Sequence, residues 1–250
     1  MDLKNFTKHL IYQSANTQIP DNFSRFQILH PEYSAHESVV KTYPLPENEH
    51  LFSLLWDIHD GHMLSATILP SQPSFLYEKE FTPGMRTQMH SHEYLELFYI
   101  IDGEYRQKIL GNEFTFHRGE VCLIDKNCLH QDCLTDQSGV VLFIGIANDM
   151  FTEIMNENST PQKILSFLQS ALLKQKDVQQ FLHFRPSDGA SESLDDSLLL
   201  LLKESYSPDS GSRYITKGLL FRIFRILSTQ YDFSLSKEQK QTMNLSLIHI

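Results

Sequence analysis

The sequence predicts a mainly β fold with α-helices added: a β-sandwich or barrel followed by a helical segment. Three observations carry this. Between His62 and Ile146 the chain runs in short apolar stretches separated by turn residues. Within that stretch Gly84, His90, His92, Glu96 and Gly103 set imidazoles and a carboxylate between two turn glycines. After Ala147 the apolar period changes from that of strands to that of helices.

The chain of 250 residues has room for one large domain or a domain with a helical appendage. Hydrophobic residues make up 41% and charged residues 21%, which excludes a disordered chain. The net charge of −10 disfavours contact with phosphate backbones, so binding of nucleic acid by these residues themselves is not expected. Cys122, Cys128 and Cys133 form no CxxC pair and predict neither a disulfide framework nor a thiolate metal knot. The first residues lack a signal peptide's apolar stretch, and no apolar run approaches a membrane span. A reducing cytoplasm is the expected location.

Residues 1–60 read as an arm and a short helix. Pro20, Pro31, Pro44 and Pro46 argue for an extended segment, and Leu51 to Ile58 is read as the helix. Residues 61–150 read as the β domain. Its strands are Met63 to Leu69, Phe75 to Phe81, Tyr94 to Ile101, Glu104 to Leu110, Glu113 to Phe116, Val121 to Ile124 and Val140 to Ile146. Asp102-Gly103 and Gly111-Asn112 are read as the turns between three of them. Strands this short and regular argue for a sandwich or barrel.

Residues 151–244 read as helical. Thr160-Pro161 starts a helix carrying Ile164, Leu165, Leu168 and Leu172. Ser193-Leu194-Asp195-Asp196 resembles a capping box ahead of a run of leucines. Ser212 opens a long helix to Tyr231. Ile215, Leu219, Ile223, Ile226 and Leu227 form one stripe on it, and Leu220, Phe224 and Tyr231 add a second. A helix apolar over that much of its girth is either an ordinary core helix or one shared between its own domain and a second subunit. Residues 245–250, Leu-Ser-Leu-Ile-His-Ile, match the translation of a transposase adaptor end used in sequencing libraries. They are expected to be an artefact, with the natural chain continuing differently after Asn244.

His90 and His92 are two apart and share a strand face, and an unbroken strand would bring Glu96 to it as well. Apolar neighbours on both parities predict burial on both faces, so these groups need partners. His130 is the fourth member. One solution is a divalent ion, with Fe(II), Mn(II), Ni(II) or Zn(II) suited to imidazole and carboxylate. The other is a metal-free polar floor. No phosphate-cradling glycine loop and no Ser/His/Asp arrangement accompanies them.

The stretch from Gly84 to Gly103 resembles the first motif of the cupin family. Gly119 and His130 resemble parts of the second, which departs from the family at Asp125, Asn127 and Leu134. With the helices that follow, residues 62–235 resemble the sensor half of an AraC-type transcription regulator. The resemblance implies a jelly-roll β-barrel binding a small-molecule effector, such as a sugar or an aromatic. His90, His92, Glu96, His130, Tyr94 and Phe98 would line the pocket, and the same His–Glu set would hold any metal. It implies a homodimer, for which the stripe Ile215, Leu219, Ile223, Ile226 and Leu227 is the candidate. DNA would be bound only through a helix-turn-helix domain, of which these residues show no pattern. The alternative is a metal-dependent cupin enzyme, a dioxygenase or isomerase, with a helical tail.

Overall fold

A computed structural model of the chain describes residues 1–13, 40–46, 49–70, 76–155 and 178–239. The Pro20 and Pro31 arm, the helix expected after Thr160 and the last eleven residues lie outside the described residues. The described strands are β1 (Lys41–Tyr43), β2 (Leu51–His59), β3 (Met63–Leu69), β4 (Tyr77–Glu80), β5 (His90–His92), β6 (Leu95–Ile109), β7 (Asn112–His117), β8 (Val121–Ile124), β9 (His130–Cys133), β10 (Gly139–Ile146), β11 (Val178–Pro186) and β12 (Tyr231–Gln239). The described helices are α1 (Leu3–Tyr12), α2 (Asn148–Met155), α3 (Ala190–Tyr206) and α4 (Ser212–Gln230).

The main path of the sheet runs β1-β5-β9-β6-β10-β2-β3-β4, with β7, β8, β11 and β12 joined off it. The sheet curls because β6 serves two neighbourhoods. Its first half pairs with β10 and β8, and its second half pairs with β7 and β9. The changeover comes at Gly103, beside a register shift between Val140 and Val141 of β10. The extra residue is Ile101, so Asp102-Gly103 lies within one long strand beside a bulge, and the hairpin turn expected there does not form. Gly103 has φ +70°, and a Cβ on it would stand 2.0 Å from the Ser138 carbonyl oxygen, so only glycine fits the bend.

Burial on both faces of the sheet makes two cores. Phe98, Ile100, Phe143, Trp56 and Tyr105 belong to the inner cluster, within the curl. Leu97, Tyr99, Leu142 and Ile144 belong to the outer one, together with Leu198, Leu201, Leu220 and Phe224 of the helices. Leu51 to Ile58 is not a helix. It is β2, buried along that whole stretch and held between β10 and β3. Its apolar residues fall on both parities, and Leu51, Leu54, Leu55 and Ile58 also match helical spacing, which explains the misreading.

Residues 151–244 are not wholly helical either. β11 pairs with β8 and carries β12 as a ribbon, so the C-terminal part adds directly to the barrel sheet. α3 begins at Ala190 after Gly189 at φ 75°. Ser193 therefore lies inside the helix, where its carbonyl accepts from Ser197 Oγ at 2.9 Å, and it does not cap. α1 has Asp2 as its N-cap, accepting from Asn5 N at 2.8 Å, and lies on the outer core through Leu3, Leu10 and Ile11. Among the described residues no helix is long and apolar enough to cross a membrane.

Candidate functional site

The site lies where β5, β9 and the start of β6 meet. His90 on β5 is directly opposite His130 on β9, and His130 is in turn opposite Ile109 of β6. The strand from His90 does not run unbroken to Glu96, because β5 ends at His92. The chain re-enters the sheet at Leu95, and Glu96 still converges on the histidines. His92 Nε2 stands 3.1 Å from Glu96 Oε2 and 3.0 Å from His130 Nε2, and Glu96 Oε1 is 3.7 Å from His130 Nε2. All four residues are buried.

The ring orientations follow from backbone contacts. His90 Nδ1 donates to Gln88 O at 2.7 Å, and His130 Nδ1 donates to Cys128 O at 2.9 Å. In a neutral imidazole this leaves each Nε2 with a bare lone pair. Burial, followed by the neighbouring His90, holds His92 well below the usual imidazole range. Burial, then His90 and His92, brings His130 down to about 3. With both neutral, the His92–Glu96 contact is a hydrogen bond and not an ion pair. Burial raises the Glu96 carboxyl against the opposing pull of His130 and His90.

These residues fit a divalent ion. Ligand atoms of His90, His92 and His130 all lie within 4.8 Å of one another. A carbonyl on the far nitrogen fixes two of the rings in the tautomer that presents Nε2, as in metal-ligating histidines. Buried Glu96 Oε1 and His92 Nδ1 have no hydrogen-bond partner among the described residues.

The other two predicted pocket residues are placed differently. Tyr94 stacks on the His92 ring, with centroids 4.5 Å apart, and its buried hydroxyl has no partner among the described residues. Phe98 lies among Tyr105, Phe116 and Phe143, at centroid distances of 4.8 to 5.9 Å. The barrel interior next to the histidines is thus packed with aromatic rings. A cavity of about 160 Å³ opens elsewhere, where His50, Leu51 and Met150 meet the Pro208 loop and Arg213, and no predicted site residue lines it.

Sequence reasoning missed a second polar group on the same floor. Asp132 accepts hydrogen bonds from the Tyr105 hydroxyl, from Gln107 Nε2 at 3.1 Å and from Thr87 Oγ1 at 2.8 Å. Burial alone would raise its carboxyl, but His90, Tyr105, His130 and Thr87 outweigh that and hold it below the usual range. Its position two residues after His130 was the available signal. Tyr43 of β1 was missed too. Its ring lies 5.2 Å from that of His90 and 6.0 Å from that of His92.

The predicted helical stripe divides. Ile223, Ile226 and Leu227 are buried in the outer core of their own chain, Leu219 packs against that core, and Ile215 is 51% exposed.

No curated protein sequence matches the chain significantly. Among solved structures, ToxT from Vibrio cholerae with an unsaturated fatty acid bound is 15% identical, at a TM-score of 0.39. That match covers 73% of this chain and 56% of the ToxT chain, so the present chain spans little more than half of that protein's length. An oxalate decarboxylase variant from B. subtilis is 18% identical over 34% of this chain and 21% of its own, with a TM-score of 0.24. The DMSP lyase DddQ from Ruegeria pomeroyi is 13% identical over 35% of this chain and 40% of its own, with a TM-score of 0.25. A cupin domain family model matches residues 77–144. The curled half-barrel that brings His90, His92, Glu96 and His130 together is a cupin-like jelly roll, set within a chain of mostly β and some α structure.

Proposed function

We propose that the chain is the effector-sensing and dimerising region of an AraC-type transcription regulator of the cytoplasm. A small molecule binds at the floor of the barrel, and DNA is left to a separate basic domain, in keeping with the net charge of −10 on this chain. One observation carries the reading. β6 presents Glu96 to the floor, and three residues later, on its opposite face, Tyr99 donates to Asp195 of α3 at 2.5 Å. A single strand thus joins the ligand site to the helices. An effector that enters must rearrange the Phe98, Tyr105, Phe116 and Phe143 packing beside Glu96. Differential affinity for the two packings is what would shift the equilibrium.

Tyr94 Oη, Glu96 Oε1 and Gln107 Oε1, buried and without a hydrogen-bond partner among the described residues, favour a ligand with hydroxyl or other polar groups around a flat face, a sugar or an aromatic. A divalent ion held by His90, His92, His130 and Glu96 would supply Lewis acidity for a ligand oxygen. The protein's own part is to hold the three rings by Gln88, Cys128 and burial. The test is hydrogen exchange of the whole chain with and without a binding sugar, phenol or metal found by thermal shift. Ligand is expected to change protection in α3 as well as in β5, β6 and β9. In Tyr99→Phe, binding persists and the α3 response is lost. A response confined to the barrel in the natural chain overturns the sensing link.

The Nε2 atoms of His90 and His130, presented by rings whose Nδ1 is anchored on a carbonyl, favour a second reading, a metal-dependent cupin enzyme of the dioxygenase or isomerase class. That reading expects near-stoichiometric iron, manganese, nickel or zinc in protein grown with all four. It also expects metal to be lost in His92→Ala. Metal-free natural protein removes it.

A further inference from the structure

α3 and α4 are joined by residues 207–211 and pack along one another as a hairpin. Their charges are segregated. α3 carries Glu192, Asp195, Asp196 and Glu204 against one Lys203. α4 carries Arg213, Lys217, Arg222 and Arg225 with no acidic residue. Arg213 and Lys217 are paired with Glu153 of α2. Glu192, Asp196, Arg222 and Arg225 are exposed and make no ion pair among the described residues.

The same exposed faces carry apolar side chains. Leu200 and Tyr206 of α3 are 45% and 39% exposed, and Tyr214 and Ile215 at the start of α4 are 81% and 51% exposed. Between Tyr214 and Arg222 lies Gly218, where an added Cβ would meet nothing within 4 Å. Its own fold does not require glycine there, and glycine is the weakest helix former apart from proline.

We propose that two copies of this chain pair through the outer faces of these hairpins. The two-fold axis runs parallel to the helices, so α3 of each copy lies antiparallel against α4 of the other. One register pairs the four unpaired charges and seats Leu200. With Leu200 set into the gap at the partner's Gly218, equal and opposite steps along the helices bring Asp196 to the partner's Arg222. Glu192, eight residues back from Leu200, then faces the turn that carries the partner's Arg225, seven residues on from Gly218. At the loop end Tyr206 meets the partner's Tyr214. Ile223, Ile226 and Leu227 remain in their own core, so the interface lies on a different face from the stripe that periodicity singles out. This assignment rests on the dimeric reading above and gives it a surface.

The test is sedimentation velocity of the whole chain over a range of micromolar concentrations, with circular dichroism as the folding control. The natural chain is expected to dimerise. Arg222→Glu with Arg225→Glu makes both helices acidic, and Glu192→Lys with Asp196→Lys makes both basic. Each pair of changes raises the dimer Kd by about tenfold or more. An equimolar mixture of the two double variants forms a heterodimer, because each acidic helix then faces a basic one. Gly218→Gln raises the melting temperature of the isolated chain and weakens the dimer. A natural chain that stays monomeric overturns the dimeric reading and the interface together. A dimer indifferent to both charge reversals, or to Gly218→Gln, or double variants that do not pair when mixed, overturns the interface alone.

Discussion

Asp125 shows how one departure from a family motif can be read. Proline usually stands at this place in the cupin pattern. Here the Asp125 N–H donates to Gln180 O of β11 at 3.1 Å, a bond proline could not make. The departure therefore helps seat β11 against the barrel. Its side chain carries a cost: burial pushes the carboxyl up to about 6, against Lys126, and Oδ1 has no hydrogen-bond partner among the described residues. An acid whose pKa is higher folded than unfolded binds its proton more tightly in the folded state. Asp125 thus favours folding below pH ~4, and that contribution is lost as pH rises from ~4 to ~6. Asp125→Asn is expected to change stability little near pH 4 and to raise it by about 3 kcal/mol at pH 7. Urea unfolding at the two pH values checks this, and equal effects at both would show that the carboxyl is not buried as a charge. At this scale His90, His92, Glu96 and His130 were legible because motif spacing names them. Asp132, Thr87 and Gln107 were not, because their role depends on β9 lying beside the far half of β6.

At the scale of elements, β3, β8 and β10 were legible because turn residues bound short apolar runs on each side. β2 was not, since a strand buried on both faces shows neither alternation nor a marked end. β6 was read as two strands because Asp102-Gly103 is good turn chemistry. What decides between a turn and a bulge is the partner strand, and Gly103 faces Gly139 across β10. β11 was hidden for another reason. It lies just ahead of α3 and α4, and its place is set by the open edge of β8, far away in sequence. On α4 the periodicity of the apolar residues was right, but periodicity cannot tell which neighbour covers a stripe. α3 and the outer core cover Ile223, Ile226 and Leu227.

At the scale of the whole molecule, these pairings bear on how the chain unfolds. The inner and outer cores share the same strands, since alternate residues of β6 and β10 serve opposite clusters. The sheet takes β2 from before residue 61 and β11 and β12 from after residue 150. Removing residues 178–239 would strip Val121 and Leu123 of the Phe184 and Leu182 contacts and expose the β8 edge. No boundary between barrel and helices is then available for independent unfolding, and the chain is expected to lose both in one transition. Trp56, the only tryptophan, reports on the inner core, while among the described helices α3 and α4 are the longest and report on the outer one. The two signals should give one urea midpoint. A fragment of residues 61–150 alone should show no cooperative transition. Separate midpoints, or a cooperatively folding fragment, would mean that the helices sit on the barrel as a detachable unit. Tyr99 and Asp195 would then be too weakly joined to carry a signal from the histidine floor.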